Sequence, residues 1–122
     1  IELNYGNNFR TIRYADVLLM AAEAYNKSGN DIKAQTYVNL VRRRAFGNTN
    51  NDITSTGNTL GDAIFAERRR ELAMEGEYFF DLVRTGKAAV ALASLGFISG
   101  KHELFPIPLA DVNGGLTQNP GY

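Results

Sequence analysis

The stretch that decides the fold is RYADVLLMAAEAYNKSGNDIKAQTYVNLVRRRAFG, residues 13–47. In each half, apolar residues recur at intervals of three and four, which is the period of one face of an α-helix. The first set is Tyr14, Val17, Leu18, Ala21, Ala22 and Tyr25, and the second is Ala34, Tyr37, Val38, Val41 and Ala45. We therefore predict two amphipathic helices here.

The link between these two helices is very short. Ser28-Gly29-Asn30 ends the first helix, with Gly29 suited to a left-handed C-cap, and Asn30 or Asp31 can cap the second, which Gly47 closes. Helices joined by so short a turn lie antiparallel. Residues 13–46 thus predict a helical hairpin, and its span of about 34 residues equals a tetratricopeptide repeat. The match is to length and pattern only, because the repeat's usual Trp and Pro are missing.

A third helix is predicted after a polar, Gly/Asn-rich loop at residues 47–58. Thr59 and Asp62 resemble a weak capping box. The helix is expected to run from about Leu60 to Glu75 and to end at Gly76.

The rest of the chain reads as shorter elements. A fourth helix is predicted over residues 78–84, stopped by Gly86, and residues 87–95 are Ala-rich and helical. Residues 1–9 read as loop, and the Phe-Pro-Ile-Pro run within residues 100–122 must be extended because proline blocks a helix. The predicted class is all-α: tetratricopeptide-like helical hairpins (an α-α superhelix) with an extended Pro-containing C-terminal tail, as one domain over residues 1–122.

Composition argues against several classes of function. The chain has 13 basic and 13 acidic side chains, so its formal net charge is zero, whereas nucleic-acid-binding domains are normally basic. No cysteine is present and His102 is the single histidine, so thiolate and paired-histidine metal sites are excluded. No apolar run approaches the about 20 residues of a membrane helix. We predict no cofactor, no metal site and no nucleic-acid partner.

A charged segment, ERRRELAMEGEYFFDLVRTG, occupies residues 67–86. The arginines at 68–70 are consecutive, as are those at 42–44. Successive helix residues point about 100° apart, so neither triplet forms one basic face. Binding of a polyanion is therefore not the favoured interpretation.

Three carboxylates in this segment, Glu67, Glu71 and Glu75, stand four residues apart on one side of a helix. Carboxylate pairs serve glycosidases and metal sites, but with arginines one and three positions away they more often form ion pairs. We predict no catalytic residue.

Arg68 stands where an apolar residue is expected, since it shares a stripe with Ile64 and Leu72. A half-buried guanidinium needs a carboxylate or carbonyl partner. Glu71 on the same helix and Glu23 on the first hairpin are candidates, so Arg68 is expected to tie the third helix to the hairpin. Asp81 and Arg84 are expected to pair in the fourth helix.

Several aromatic residues lie where their rings could be exposed. Those in or near predicted loops are Tyr5, Phe9, Phe97 and Tyr122. Packing is expected for each, so we assign no binding residue among them, and His102 is expected to pack rather than to bind a ligand. In the fourth helix Phe79, Leu82 and Val83 predict a core stripe. Tyr78 is also expected in the core, and an outward position toward a partner is the alternative.

Four blocks of the chain resemble the C-terminal half of a SusD/RagB-type outer-membrane lipoprotein, in the same order and at similar spacing. They are NFRTIRYADVLLMAAEAYNKSGN, AQTYVNLVRRRA, AIFAERRRELAMEGEYFFDLVRTGK, and LFPIPLADVN with LTQNPGY. The family often has Arg in place of Tyr78 and Trp in place of Thr85. Such proteins are several times longer, so this chain is expected to be a fragment that exposes apolar surface and dimerises or is marginally stable.

The resemblance implies a function for the whole protein. It would capture a nutrient, usually an oligosaccharide or other glycan, at the surface of Bacteroidetes-type bacteria. A sugar ring has an apolar face that could stack on Tyr5, Phe9, Phe97 or Tyr122. The family's ligand contacts come mostly from loops outside these blocks, so we assign no glycan-binding residue. A lipid anchor outside this chain would hold it at the outer membrane, where it would act as a lid on a TonB-dependent SusC-type transporter, without catalysis or a cofactor. The alternative is a tetratricopeptide-like module whose hairpin groove binds a peptide or partner protein.

Overall fold

A computed structural model describes residues 11–122, and every regular element in that range is a helix. The expectations for residues 1–9, including Tyr5 and Phe9, lie outside the described residues. The helices are α1 (Tyr14–Lys27), α2 (Asp31–Phe46), α3 (Gly57–Glu71), α4 (Glu77–Arg84), α5 (Ala88–Ala91) and α6 (Leu109–Asn113), with a 3-10 turn at Ala93–Leu95. The predicted all-α class is confirmed. Two compact units divide the chain, the second being Met74–Tyr122.

The predicted hairpin is confirmed as α1 packed on α2. Gly29 has a φ of 80° in the turn and Gly47, with a φ of 70°, caps α2 in the left-handed conformation that glycine adopts without strain. The side chain of Asn30 accepts a hydrogen bond from the Lys33 amide at 3.2 Å, which is the predicted N-cap. Local signals therefore set both ends of α2.

The core of the first unit lies where α1 meets α2 and α3. Its buried members are Leu18, Leu19, Ala22, Ala34, Val38, Val41, Leu60 and Ile64. The predicted stripe on α1 is partly wrong, because Tyr14 is 75% exposed and Val17 is 44% exposed, while Leu19 is fully buried. On α2, Ala45 is exposed as well. The buried arc of α1 is shifted because α1 contacts α3 as well as α2.

Helix α3 begins at Gly57, so the predicted start at Leu60 and the capping box of Thr59 and Asp62 are wrong. The hairpin sets this start. The backbone amide of Gly57 donates to the Asp31 carboxylate at 2.7 Å, and the side-chain amide of Asn26 donates to the Gly57 carbonyl at 2.9 Å.

The C-terminal end of α3 also differs from the prediction. The helix ends at Glu71, four residues before the predicted Glu75. Gly76, predicted to end it, instead precedes α4 as its N-cap with a φ of 89°. Between them the exposed Met74 has a φ of 69°, so the backbone turns there before α4 begins.

The loop between α2 and α3 is held against α2 by an amide clamp, which we define as a side-chain amide that binds both main-chain groups of one residue. Asn39 donates to the Ile53 carbonyl at 2.9 Å and accepts from the Ile53 amide at 2.8 Å. Gln35 adds hydrogen bonds to the carbonyls of Thr54 and Ser55. The polar loop is thus built onto the hairpin.

The second unit contains short helices around Leu82 and Ala88, both buried. The helix predicted over residues 87–95 is divided into α5 and the 3-10 turn. In α4, Phe80 is the exposed ring, whereas Tyr78 is half-buried, which favours the expected packing of Tyr78 over the outward alternative.

The Phe-Pro-Ile-Pro segment, residues 105–108, lies outside any helix, as predicted. A second amide clamp holds it: Gln118 accepts from the Ile107 amide at 2.7 Å and donates to the Ile107 carbonyl at 2.9 Å. The Tyr122 hydroxyl donates to the Leu104 carbonyl at 2.9 Å. Across the described helices, none is both long and apolar enough to cross a membrane.

Candidate functional site

The charged segment begins on the second half of α3, where it faces the hairpin. Arg68 is 4% exposed and donates to the Asp16 carboxylate of α1 at 2.7 Å. The prediction that Arg68 ties α3 to the hairpin is confirmed. Asp16, however, was not among the predicted partners, and the predicted Glu71 binds other arginines. Arg68 therefore serves as a buried cross-link between α3 and α1.

Two of the three carboxylates considered for chemistry, Glu67 and Glu71, are each bound by two arginines, whereas Glu75 lies beyond the end of α3. Glu67, which is 4% exposed, accepts from Arg42 at 2.6 Å and from Arg70 at 2.9 Å. Glu71 accepts from Arg13 at 2.8 Å and from Arg44 at 2.5 Å. Three of these pairs join α3 to the start of α1 or the end of α2, and the Arg70–Glu67 pair lies within α3. The carboxylates are thus engaged in holding helices together.

The arginine triplet at the end of α2 also faces carboxylates. Arg42 pairs with Glu67, Arg44 pairs with Glu71, and Arg43 pairs with Asp52 of the loop at 2.5 Å. A phosphate group would have to compete with three ion pairs already formed. This arrangement favours a structural role for the arginines over polyanion binding.

Electrostatics at Glu71 reflect two opposing effects. Burial raises the pKa of its carboxyl group, but the hydrogen bonds and charges of Arg13 and Arg44 outweigh burial, so the pKa is lowered from its ordinary value of 4.5. A carboxyl group whose pKa is lowered by folding stabilises the folded state above its unfolded pKa. That contribution is lost as the pH falls through the lowered value.

Replacing Glu71 with Gln is expected to lower the free energy of unfolding at pH 7 by about 1 to 3 kcal/mol, because two charged hydrogen bonds lose their acceptor charge. Urea unfolding from pH 7 to pH 2.5 would show the gap between the two proteins closing below about pH 4. Glu77→Gln, at an exposed site, is the control and should cost less than about 1 kcal/mol. A gap that stays constant across this range contradicts the assignment.

A groove of about 570 Å³ lies between the second halves of α2 and α3. The charged groups that line it, Arg42, Arg70, Glu67 and Glu71, are the ion-paired residues described above. Phe46 is the aromatic member, and the Arg42 guanidinium stands 5.2 Å from its ring centroid. The groove thus presents the Phe46 ring and several apolar side chains, and the charged side chains that line it are already in ion pairs.

The second unit has an aromatic pocket of about 290 Å³. We use the name aromatic pocket for the cavity lined by Phe79, Leu92, Leu95, Gly96, Phe97, His102, Leu104, Phe105 and Tyr122. Phe97 packs edge-on against His102 with ring centroids 5.7 Å apart, and His102 lies 6.4 Å from Tyr122. The structure therefore brings together two of the predicted candidates, Phe97 and Tyr122.

Sequence reasoning missed Phe79 and Phe105 as members of the aromatic pocket. Phe105 is 68% exposed, and the signal that could have found it is its position directly before Pro106, which keeps it out of a helix. His102 packs as expected, with Nδ1 accepting from the Ile98 amide at 2.9 Å. No group of three His, Asp or Glu residues suited to a metal occurs among residues 11–122.

Comparison with known proteins gives consistent matches. The model of the SusD family matches residues 2–122. Two SusD-like proteins of Formosa agariphila, P38 and P25, are 33% and 34% identical to this chain over 94% and 91% of its length. The chain spans only 25% and 23% of those two proteins.

Solved structures agree with these matches. A laminarin binding SusD-like protein is 46% identical and superposes with a TM-score of 0.77, covering 91% of this chain and 22% of that one. A SusD homologue from Bacteroides thetaiotaomicron is 32% identical with a TM-score of 0.79, covering 99% of this chain and 30% of that one. The helical arrangement described above is thus shared with structures of much longer proteins.

Proposed function

This chain belongs to the SusD family, and from that membership we propose that the full-length protein captures a glycan and delivers it to a TonB-dependent SusC-like transporter. The observation that carries the proposal is the 46% identity to a laminarin binding SusD-like protein over 91% of this chain. Identity at that level, with the same helical arrangement, supports a ligand of the same chemical class. The chain is about a quarter of its relatives, so capture and delivery are attributed to the whole protein.

Within that protein, the tetratricopeptide-like hairpin and α3 act as scaffold. The carboxylates that an acid–base reaction would use, Glu67 and Glu71, are each committed to two arginines. This supports binding without catalysis and without a cofactor. The proposed location is the outer surface of the outer membrane, with a lipid anchor elsewhere in the polypeptide.

The aromatic pocket is the candidate contact for a sugar ring on this chain. A pyranose presents an apolar face that stacks on an aromatic ring, and Phe105 offers an exposed ring. The Tyr122 ring is less available, because the Lys101 ammonium lies 4.7 Å from its centroid. We therefore assign the stacking surface to Phe105.

Calorimetric titration of the full-length protein with a panel of glycans, beginning with laminarin, tests both parts of the proposal. The first part is that the protein captures a glycan, and the second is that Phe105 contacts it. Binding of at least one glycan is expected. Phe105→Ala should then weaken that affinity by about 3- to 10-fold, the value of one aromatic contact. Phe80→Ala, at an exposed ring outside the aromatic pocket, is the matched control and should leave affinity unchanged.

Glycan capture and the Phe105 contact can be disproved separately. If the unaltered protein binds no glycan, capture of a sugar is wrong. If it binds but Phe105→Ala has no more effect than Phe80→Ala, the sugar contact lies elsewhere while capture stands.

The groove between α2 and α3 favours a second candidate, a tetratricopeptide-like module that binds a peptide or partner protein. An extended peptide could place an apolar side chain against Phe46 and the groove's alanines, Ala45, Ala63 and Ala66. Absence of binding to every glycan in the panel, together with tight binding to a peptide or to a transporter plug domain, would favour this function.

A further inference from the structure

The aromatic pocket has few polar side chains. Of the described residues that line it, only His102 and Tyr122 carry one, and the others are Phe, Leu and Gly. The Tyr122 hydroxyl already donates its hydrogen to the Leu104 carbonyl at 2.9 Å. Within this described lining, the imidazole of His102 is therefore the side chain that keeps a hydrogen to donate to a ligand.

A turn over residues 98–103 fixes the His102 ring. The backbone amide of His102 donates to the Ile98 carbonyl at 3.0 Å, and Nδ1 of the ring accepts from the Ile98 amide at 2.9 Å. An Nδ1 atom that accepts a hydrogen bond carries no hydrogen, so in the neutral imidazole the hydrogen lies on Nε2. The turn thus selects the tautomer in which Nε2 is a donor.

The Nε2 atom of His102 is accessible to solvent. The residue is half-buried, and Nε2 has no hydrogen-bond partner among the described residues. Every buried side-chain nitrogen or oxygen of residues 11–122 has such a partner, so Nε2 is not buried. The His102 ring lines the aromatic pocket, whereas Ile98, which occupies Nδ1, does not. The pocket therefore has a fixed N–H donor that no protein group uses.

The exposed ring of Phe105 lies in the same pocket. It packs on Phe79, with ring centroids 6.1 Å apart, and both rings line the cavity together with His102. A sugar ring has an apolar face and a rim of hydroxyl groups, so a site for it combines an aromatic ring with a few fixed polar groups. Phe105 and His102 supply one of each.

We propose that Nε2–H of His102 donates a hydrogen bond to a hydroxyl oxygen of the sugar that stacks on Phe105. The inference rests on the proposed glycan capture, and it adds a ligand contact to the packing predicted for His102. The neighbours Lys101 and Glu103 carry opposite charges, so the turn has no net charge that would select an acidic sugar. The ligand class is a neutral glycan with a hydroxyl group beside its stacked face.

Removal of single hydroxyl groups from the glycan tests this contact. A short oligosaccharide of the glycan that the panel identifies, with laminarin tried first, is titrated into the full-length protein alongside its monodeoxy derivatives. For the unaltered protein, at least one derivative is expected to bind about 3- to 10-fold more weakly than the parent, the value of one hydrogen bond.

Two variants remove Nε2 in different ways. His102→Phe keeps a ring against Phe97 and Tyr122, and His102→Asn keeps an oxygen acceptor for the Ile98 amide. In both, the penalty for removing one particular hydroxyl group should disappear, because its donor is gone. A role of His102 in packing alone would weaken the parent and the derivative equally and leave that penalty in place.

Ser99→Ala is the control within the same turn. It removes the hydroxyl that donates to Glu103 at 3.1 Å, does not touch the pocket, and should leave every penalty unchanged. Circular dichroism identifies the folded variants, and either His102 variant suffices. Penalties that all persist in a folded His102 variant overturn the contact while glycan capture stands. If the unaltered protein binds no glycan of the panel, capture is wrong and the contact with it.

Discussion

Replacing Arg68 with methionine is expected to lower the free energy of unfolding by about 3 to 5 kcal/mol, the usual cost of removing one partner from a buried ion pair. Arg68 is 4% exposed, and Asp16, to which its guanidinium donates, has a side chain that is 17% exposed. Methionine fills similar space but leaves that carboxylate without its cation. Urea unfolding followed by circular dichroism measures the loss.

The control for this variant is Arg69→Met, on the next residue of α3. Arg69 is exposed, so its replacement should change the free energy of unfolding by no more than about 0.5 kcal/mol. Combining Arg68→Met with Asp16→Asn should cost less than the sum of the single changes, with a coupling of about 1 kcal/mol or more. Equal losses for Arg68→Met and Arg69→Met would show that the ion pair does not hold α3 to α1.

Replacing Ile64 with alanine is expected to cost about 2 to 5 kcal/mol, because it removes buried methyl and methylene groups and leaves a cavity. Ile64 is 1% exposed and lies in the core where α3 meets the hairpin. The loss should appear as a lower urea midpoint with an unchanged dependence on denaturant.

Thr59→Ala is the matched control, because Thr59 is exposed on the same helix one turn from the core. Its effect should stay within about 0.5 kcal/mol. If Ile64→Ala proved no more costly than Thr59→Ala, α3 would not be packed on the hairpin as the structure shows.

The hairpin could be predicted from the sequence because its signals are local. Spacing of apolar residues, the glycines at 29 and 47, and the Asn30 cap act within a few residues of one another. The start of α3 could not be predicted from the local sequence, because the residues that set it, Asp31 and Asn26, lie 26 and 31 residues away from Gly57. Local capping preferences are overridden there by tertiary hydrogen bonds.

The interior cross-link was predictable in kind, but Asp16 was not predicted as a partner of Arg68. An arginine in an apolar stripe indicated a buried ion pair, and α1 was among the elements expected to provide the carboxylate. Which carboxylate of α1 is used depends on how far α3 slides along α1, and neither helix encodes that register by itself. Likewise, Phe97 and Tyr122 were visible as candidates, but their convergence with Phe79 depends on the path of the chain after Gly96.

The two amide clamps carry a consequence for the lifetime of the protein. Each relies on a side-chain amide, which offers an N–H donor and an oxygen acceptor in the same plane. Loss of ammonia by hydrolysis would turn Asn39 or Gln118 into a carboxylate, which would face the carbonyl of Ile53 or Ile107 with an acceptor and no donor. Hydrolysis at either position would therefore loosen the segment that the clamp holds, while the backbone hydrogen bonds within the neighbouring helices stay in place.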